Sequence, residues 1–128
     1  MYRLSLLRFA APGPGTTERS KTVVFCGTSL DDLRGFPAAA RHMAGHQIDR
    51  VQEGRDPDDW KPMGSVGAGV REIRIREDDG TFRVLYVAKF AAAVYVLHGF
   101  RKTTQKTARG DLALAKKRYS DLLGAVKR

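Results

Sequence analysis

Val70-Arg71-Glu72-Ile73-Arg74-Ile75-Arg76, then Asp79-Gly80, then Thr81-Phe82-Arg83-Val84-Leu85-Tyr86-Val87, is the stretch that decides the fold. Its first part alternates. Arg71, Ile73 and Ile75 point one way, and Glu72, Arg74 and Arg76 the other, which is the side-chain period of a strand. Asp-Gly supplies the positive φ that a tight hairpin turn needs. The return segment, Thr81 to Val87, is rich in β-formers. Lys89 to Ala93 makes a second connection, and Val94 to Phe100 completes a three-stranded meander.

Upstream, Lys21 to Cys26 holds Val23, Val24 and Phe25 and reads as a short buried strand. Ser29, three residues before Asp32, resembles a capping box that opens a short helix. Gly35 stops it, and Pro37 opens the next. Phe36, Ala40, Met43, Ala44, Gln47 and Val51 then recur at helical spacing, which predicts an amphipathic helix to about Gln52. Gly54 to Lys61 is an acidic loop anchored by Trp60, and Pro62 to Gly69 a flexible lead-in to the meander. Downstream, Thr107 caps a last helix with Asp111 in its first turn. Its apolar stripe is Leu112, Ala115, Tyr119, Leu122, Leu123 and Val126. The class is α+β: an antiparallel sheet, one N-terminal strand plus the meander, packed with two N-terminal helices and a C-terminal helix. Residues 1–20, with the breaker cluster Pro12-Gly13-Pro14-Gly15, read as a flexible tail before a single domain over 21–128.

The chain has 128 residues, enough for one modest core without covalent staples. Its single cysteine excludes an internal disulfide framework and a thiolate zinc site. Cys26 sits in an apolar strand with no base beside it, which makes it a buried thiol. No apolar run is long enough for a membrane span, and Arg8 interrupts the mildly apolar start, so a cytoplasmic protein with no membrane partner is expected. The net charge is +9, and its distribution is uneven. Residues 1–70 carry 9 basic and 8 acidic side chains; residues 71–128 carry 14 and 6. Such a concentrated field attracts phosphate backbones or an acidic protein surface. His42 and His46 have the i, i+4 spacing of zinc helices, but Met43 replaces the glutamate of the metalloprotease motif and no third ligand is evident, so no metal and no cofactor are expected. The glycines between Gly64 and Gly69 lack the Lys-Ser/Thr that a phosphate-binding loop requires.

At the meander the sequence resembles a known family. Arg71-Glu72-Ile73-Arg74, Phe82-Arg83-Val84-Leu85-Tyr86 and Val96-Leu97-His98-Gly99-Phe100-Arg101-Lys102-Thr103-Thr104-Gln105-Lys106-Thr107 follow in order. Ala115-Lys116-Lys117-Arg118 fits the helix that comes next. Together they resemble the phage-derived, HigB-like branch of the RelE/ParE toxin superfamily over about residues 21–123. The chain departs at Ile73, where leucine is usual, at Arg101-Lys102 in place of a lysine pair, and at Thr107-Ala108, where a proline is missing. The resemblance implies a RelE-like fold and a type II toxin: a metal-independent endoribonuclease that cleaves mRNA on the ribosome and is silenced by a helix-turn-helix antitoxin. The related ParE branch shares the fold but inhibits DNA gyrase without cutting RNA. An RNA-binding module with a decayed site is a third reading, and fold alone does not separate the three.

RNA cleavage needs a 2′-OH in line with the scissile phosphorus, a neutralised phosphate and two proton transfers. Arginine suits the phosphate, because its fork matches phosphate oxygens. By resemblance Arg74 and Arg83 match basic positions of the toxin site; the bland alternative is a surface ladder with Glu72. Strict alternation places Arg83 with Leu85 and Val87, a mixed face that a twisted edge or a bulge would reconcile. Arg76 flanks Arg74 on its own strand face and is a candidate phosphate binder; after the third strand Lys102 is a further catalytic candidate and Arg101 and Lys106 are phosphate binders, against the alternative of a solvated basic loop. Histidine is the side-chain type suited to moving a proton near neutral pH, so His98 is a candidate for that, or it could simply pack against Val96 and Phe100. Tyr86 could stack on a base, or be core.

Overall fold

The computed structural model describes residues 2–3, 20–103 and 106–126. In chain order the elements are β1 (Tyr2–Arg3), β2 (Thr22–Phe25), α1 (Ser29–Arg34), α2 (Ala38–Gln52), β3 (Trp60–Pro62), β4 (Val70–Glu77), β5 (Gly80–Val87), β6 (Ala93–Lys102) and α3 (Arg109–Val126). The six strands form one sheet in the order β1-β2-β6-β5-β4-β3. The class is α+β as expected, and the β4–β5–β6 meander stands at its centre. Gly80, at φ +137°, makes the turn between β4 and β5, a backbone conformation closed to other residues.

The sheet and its connections differ from the expected ones. It is mixed: β2 runs parallel to β6, pairing Val23 with Val94 and Phe25 with Val96. The crossing of α1 and α2 over one face gives the chain the length that parallel pairing needs. The expected loop through Trp60 is a short edge strand, with Trp60 opposite Ile73 and Lys61 opposite Glu72. The stretch after it is not merely a lead-in, because Met63 and Val66 are buried against α3. The expected tail falls outside the described residues except for Tyr2, Arg3 and Ser20; Tyr2 and Arg3 pair with β2.

Both faces of the sheet are covered. On one, Leu30, Leu33, Ala40, Ala44 and Ile48 of the two N-terminal helices pack on Ile73, Ile75, Phe82, Val84, Tyr86, Val94 and Val96. Gly99 makes this possible locally, since a β-carbon there would lie 2.3 Å from a Leu33 methyl. On the other, Ala115, Tyr119 and Leu122 of α3 pack on Val70, Leu85, Val87, Tyr95, Leu97 and Phe100. Each large apolar side chain buried in this way contributes about 1.5–3 kcal/mol before ordering costs are subtracted. The end of the stripe is free, with Val126 38% exposed. Among the described residues no helix is long and apolar enough to cross a membrane.

Two capping expectations are corrected by side-chain chemistry. The Ser29 hydroxyl donates to the Val96 carbonyl (3.0 Å) instead of closing a capping box, and Thr28 holds the cap position. At α3 the first helical bond runs from Leu112 N–H to the Ala108 carbonyl, and the Thr107 hydroxyl lies 3.5 Å from Glu72.

The strand β6 contains a bulge. Leu85 pairs with His98 and Tyr86 with Val96, so Leu97 is one residue extra. Two consecutive β6 side chains then oppose one β5 residue. Leu97 enters the α3 core, and His98 stands beside it under the first turns of α3.

Candidate functional site

The face under α3 is divided along its length. Near Val70, Val87 and Tyr95 it is apolar and covered by α3. Past Leu85 it becomes cationic. β5 alternates without interruption here, so Arg83 does share its face with Leu85 and Val87. The mixed face is real, apolar beneath the helix and charged beyond it. The bulge lies in β6 and does not act on Arg83.

At the charged end Glu72 is fully buried. Its Oε1 lies 3.3 Å from Arg83 Nε, 3.8 Å from Lys61 Nζ and 3.9 Å from Arg74 Nε. Register explains the convergence: Arg74 is directly opposite Arg83, and Lys61 directly opposite Glu72. Yet Glu72 Oε1, Arg74 Nε and Arg83 Nε are all buried without a hydrogen-bond partner. Buried polar atoms are nearly always hydrogen-bonded, so three that are ion-paired with one another but lack hydrogen bonds make this cluster a candidate for taking a further polar group. Electrostatics agree. Burial first, and then the charges of Arg74 and Arg76 against the pull of Glu72, hold the Arg83 guanidinium below its ordinary value. Lys102 is shifted down in the same way, chiefly by partial burial; Arg83, Lys61 and Arg74 add to the shift and Glu72 opposes it.

A second polar cluster lies one step along the same face, where β2 has ended and α1, β6 and α3 meet. His98 Nδ1 is 3.1 Å from Asp32 Oδ2, and Nε2 is 2.7 Å from Asp111 Oδ1. Arg118 donates to Asp32 (3.2 Å), to the Leu97 carbonyl (2.8 Å) and to the Thr28 hydroxyl (2.8 Å). Burial acts to raise the Asp32 carboxyl, but hydrogen bonds from His98 and Arg118 and their charges outweigh it and hold the group below its usual range. His98 is 5% exposed and stacks on Phe100 with ring centroids 5.3 Å apart.

The structure therefore brings together Arg74, Arg83 and Lys102, with Arg76 exposed nearby, around Glu72. His98 shares the face but is enclosed, with Leu85 between it and Glu72 in the paired row. Tyr86 is on the opposite face, 1% exposed in the core beneath α1 and α2, where burial raises its phenol. Arg101 also turns away: its guanidinium lies 5.5 Å from the Phe82 ring and donates to the Asp79 carbonyl. Lys106 is exposed in the segment before α3. Cys26 is buried, and burial pushes its thiol up to about 11. His42 and His46 are exposed on α2, and among the described residues no three His, Cys, Asp or Glu side chains are grouped to hold a metal.

Sequence reasoning undervalued Glu72 and missed Lys61. For Glu72 the signal was available: it falls in the row of Leu85, a residue that must be buried. Lys61 gave no signal, because its short strand has no period to read. The roles of Asp32, Asp111 and Arg118 also depended on contacts between distant elements.

The family model described as phage derived protein Gp49-like (DUF891) matches residues 31–120, from α1 into α3, a span that contains both polar clusters apart from Thr28. Among curated proteins none matches the chain.

Proposed function

This chain belongs to the phage-derived Gp49-like family, and on that premise we propose that it is the toxin of a type II toxin–antitoxin module, an endoribonuclease that cleaves mRNA on the ribosome. The observation that carries the reading is the buried Glu72 carboxylate, ringed by Arg74, Arg83, Lys61 and Lys102, with its own Oε1 and two arginine Nε atoms unsatisfied. A phosphodiester supplies acceptors for the arginines, and its flanking 2′-OH supplies a donor for Glu72. The likeness of the meander motifs to RelE- and HigB-type toxins supports the same assignment.

In the proposed reaction the cationic side chains that cover Glu72 draw aside onto the docked phosphate, and the uncovered carboxylate takes the proton of the 2′-OH as that oxygen attacks the adjacent phosphorus. The P–O5′ bond breaks, and Lys102 gives its proton to the departing 5′-oxygen. The products are a 2′,3′-cyclic phosphate and a 5′-OH. Arg83 and Arg74 neutralise the charge that develops on the non-bridging oxygens, the term that weighs most in such sites. The lowered Lys102 ammonium is a better acid than an ordinary lysine. Arg76 and Lys106 extend the cationic surface along the RNA. The His98 cluster serves as a positioning element, holding the start of α3 over the strand that ends in Lys102. A helix-turn-helix antitoxin would silence the protein by covering this face.

Induction of the chain, followed by mapping of cellular mRNA 5′ ends, tests the proposal. In-frame cuts that disappear in Glu72→Gln are the expected result. Growth arrest with intact mRNA would transfer the assignment to a gyrase-inhibiting toxin, and unchanged growth at good expression would remove the toxin reading altogether.

A further inference from the structure

We propose a second anion site, on the sheet face opposite Glu72, that takes a single nucleotide phosphate. It does not depend on the nuclease reading. A cavity of about 300 Å³ opens where the end of α2 meets the start of β4 and the end of β5, bordered by Lys21, Arg55, Asp56, Arg71, Tyr86 and Lys89. Arg71 and Tyr86 are adjacent in sequence to Glu72 and Leu85 and therefore face the other way. Four cations and one carboxylate leave the cavity strongly positive.

Two of the cations are held in place. Lys21 Nζ donates to the Ala88 and Phe90 carbonyls at 2.7 and 2.9 Å. Arg71 bonds Asp56 at 2.9 Å, lies 3.9 Å from the Trp60 ring centre and meets the Tyr86 hydroxyl. Fixed donors are what anion recognition requires, since little order is lost on binding. The other two are exposed: Arg55 at the rim, and Lys89, whose Nζ rests 5.3 Å from the Phe90 ring centre and 5.8 Å from that of Tyr119 and would swing off these rings to reach a ligand. The obvious objections are answered locally. Asp56 is engaged by Arg71. The last carbonyls of α2 accept backbone N–H groups from Lys21, Glu53, Gly54 and Arg55, so the helix end does not present bare negative charge. The volume exceeds what a lone phosphate fills, and Val51 and Ala88 give apolar wall for a sugar or base.

The nucleotide could be free or part of an RNA strand, and one titration separates these. The full chain is titrated with AMP and with a six-nucleotide RNA lacking terminal phosphates, by calorimetry. The same is done for the Arg55→Glu/Lys89→Glu double variant and for Arg83→Ala, each matched to wild type by circular dichroism. AMP binding that falls by about tenfold or more in the double variant and persists in Arg83→Ala is the expected result. If AMP then competes with the RNA, the site serves a nucleotide of the strand; if it does not, the ligand is a free nucleotide. The neutral pair Arg55→Gln/Lys89→Gln should show a smaller loss in the same direction. The proposal is overturned if AMP does not bind, if its binding survives the double charge reversal, or if Arg83→Ala abolishes it instead.

Discussion

The two polar clusters on the α3 side of the sheet contain the same kinds of groups and end in opposite states. Around His98, arginine, histidine, threonine and two carboxylates all find partners, and three elements are locked together. Around Glu72, a carboxylate buried more deeply than Asp32 or Asp111 faces cations at 3.3–3.9 Å, and its Oε1 and two arginine Nε atoms make no hydrogen bond. A satisfied network specifies a structure; an unsatisfied one stores recognition for a ligand. On the proposed reading the two sites separate stability from activity across a single sheet row, and variants should respect that division.

The largest effect belongs to the satisfied cluster. Arg118→Ala leaves Asp32 without its guanidinium partner and should destabilise the fold by about 3–5 kcal/mol, read as a shift in the urea midpoint. In the open cluster, Arg83→Ala leaves Glu72 its Lys61 and Arg74 neighbours and should lower that midpoint less than Arg118→Ala does, while slowing single-turnover RNA cleavage of the folded variant roughly 100- to 1,000-fold. Cleavage at the wild-type rate would show that the cluster is not the reacting centre. Next comes acid sensitivity. Asp32 is held below its ordinary value in the fold, so its stabilising contribution is present above the unfolded carboxyl value of about 3.9 and is lost as pH falls through the lower folded value. Asp32→Asn should therefore be less stable than wild type at neutral pH, and the gap should close in acid; a gap independent of pH would assign the loss to packing. The smallest effect is Lys102→Met, which removes a disfavoured charge and should change stability by no more than about 0.5 kcal/mol while cleavage drops.

The hairpin was legible because period and turn agree there, and α2 and α3 because their apolar positions recur at helical spacing. The parallel pairing of β2 was not, since it depends on where two helices deliver the chain. The site was legible in its cations and not in its carboxylate. Arg74, Arg83 and Lys102 stand out by charge, whereas Glu72 acquires its meaning from a register that buries it opposite Leu85. Arg101 and Tyr86 illustrate the reverse: their residue types suit RNA, but the alternation of their strands turns them to the other face.

The extra residue in β6 has consequences for how this strand tolerates changes of length. Because Leu97 and His98 share a side, removal of Leu97 alone would restore plain alternation and leave Phe100, Arg101 and Lys102 facing as they do now. A single insertion beyond the bulge has no such refuge: it would exchange the directions of Arg101 and Lys102 and carry the wrong cation toward Glu72. The Leu97–His98 pair is thus where the strand can lose a codon without reversing the faces of Arg101 and Lys102, and at Leu97 the cost is a hole in the packing beneath α3.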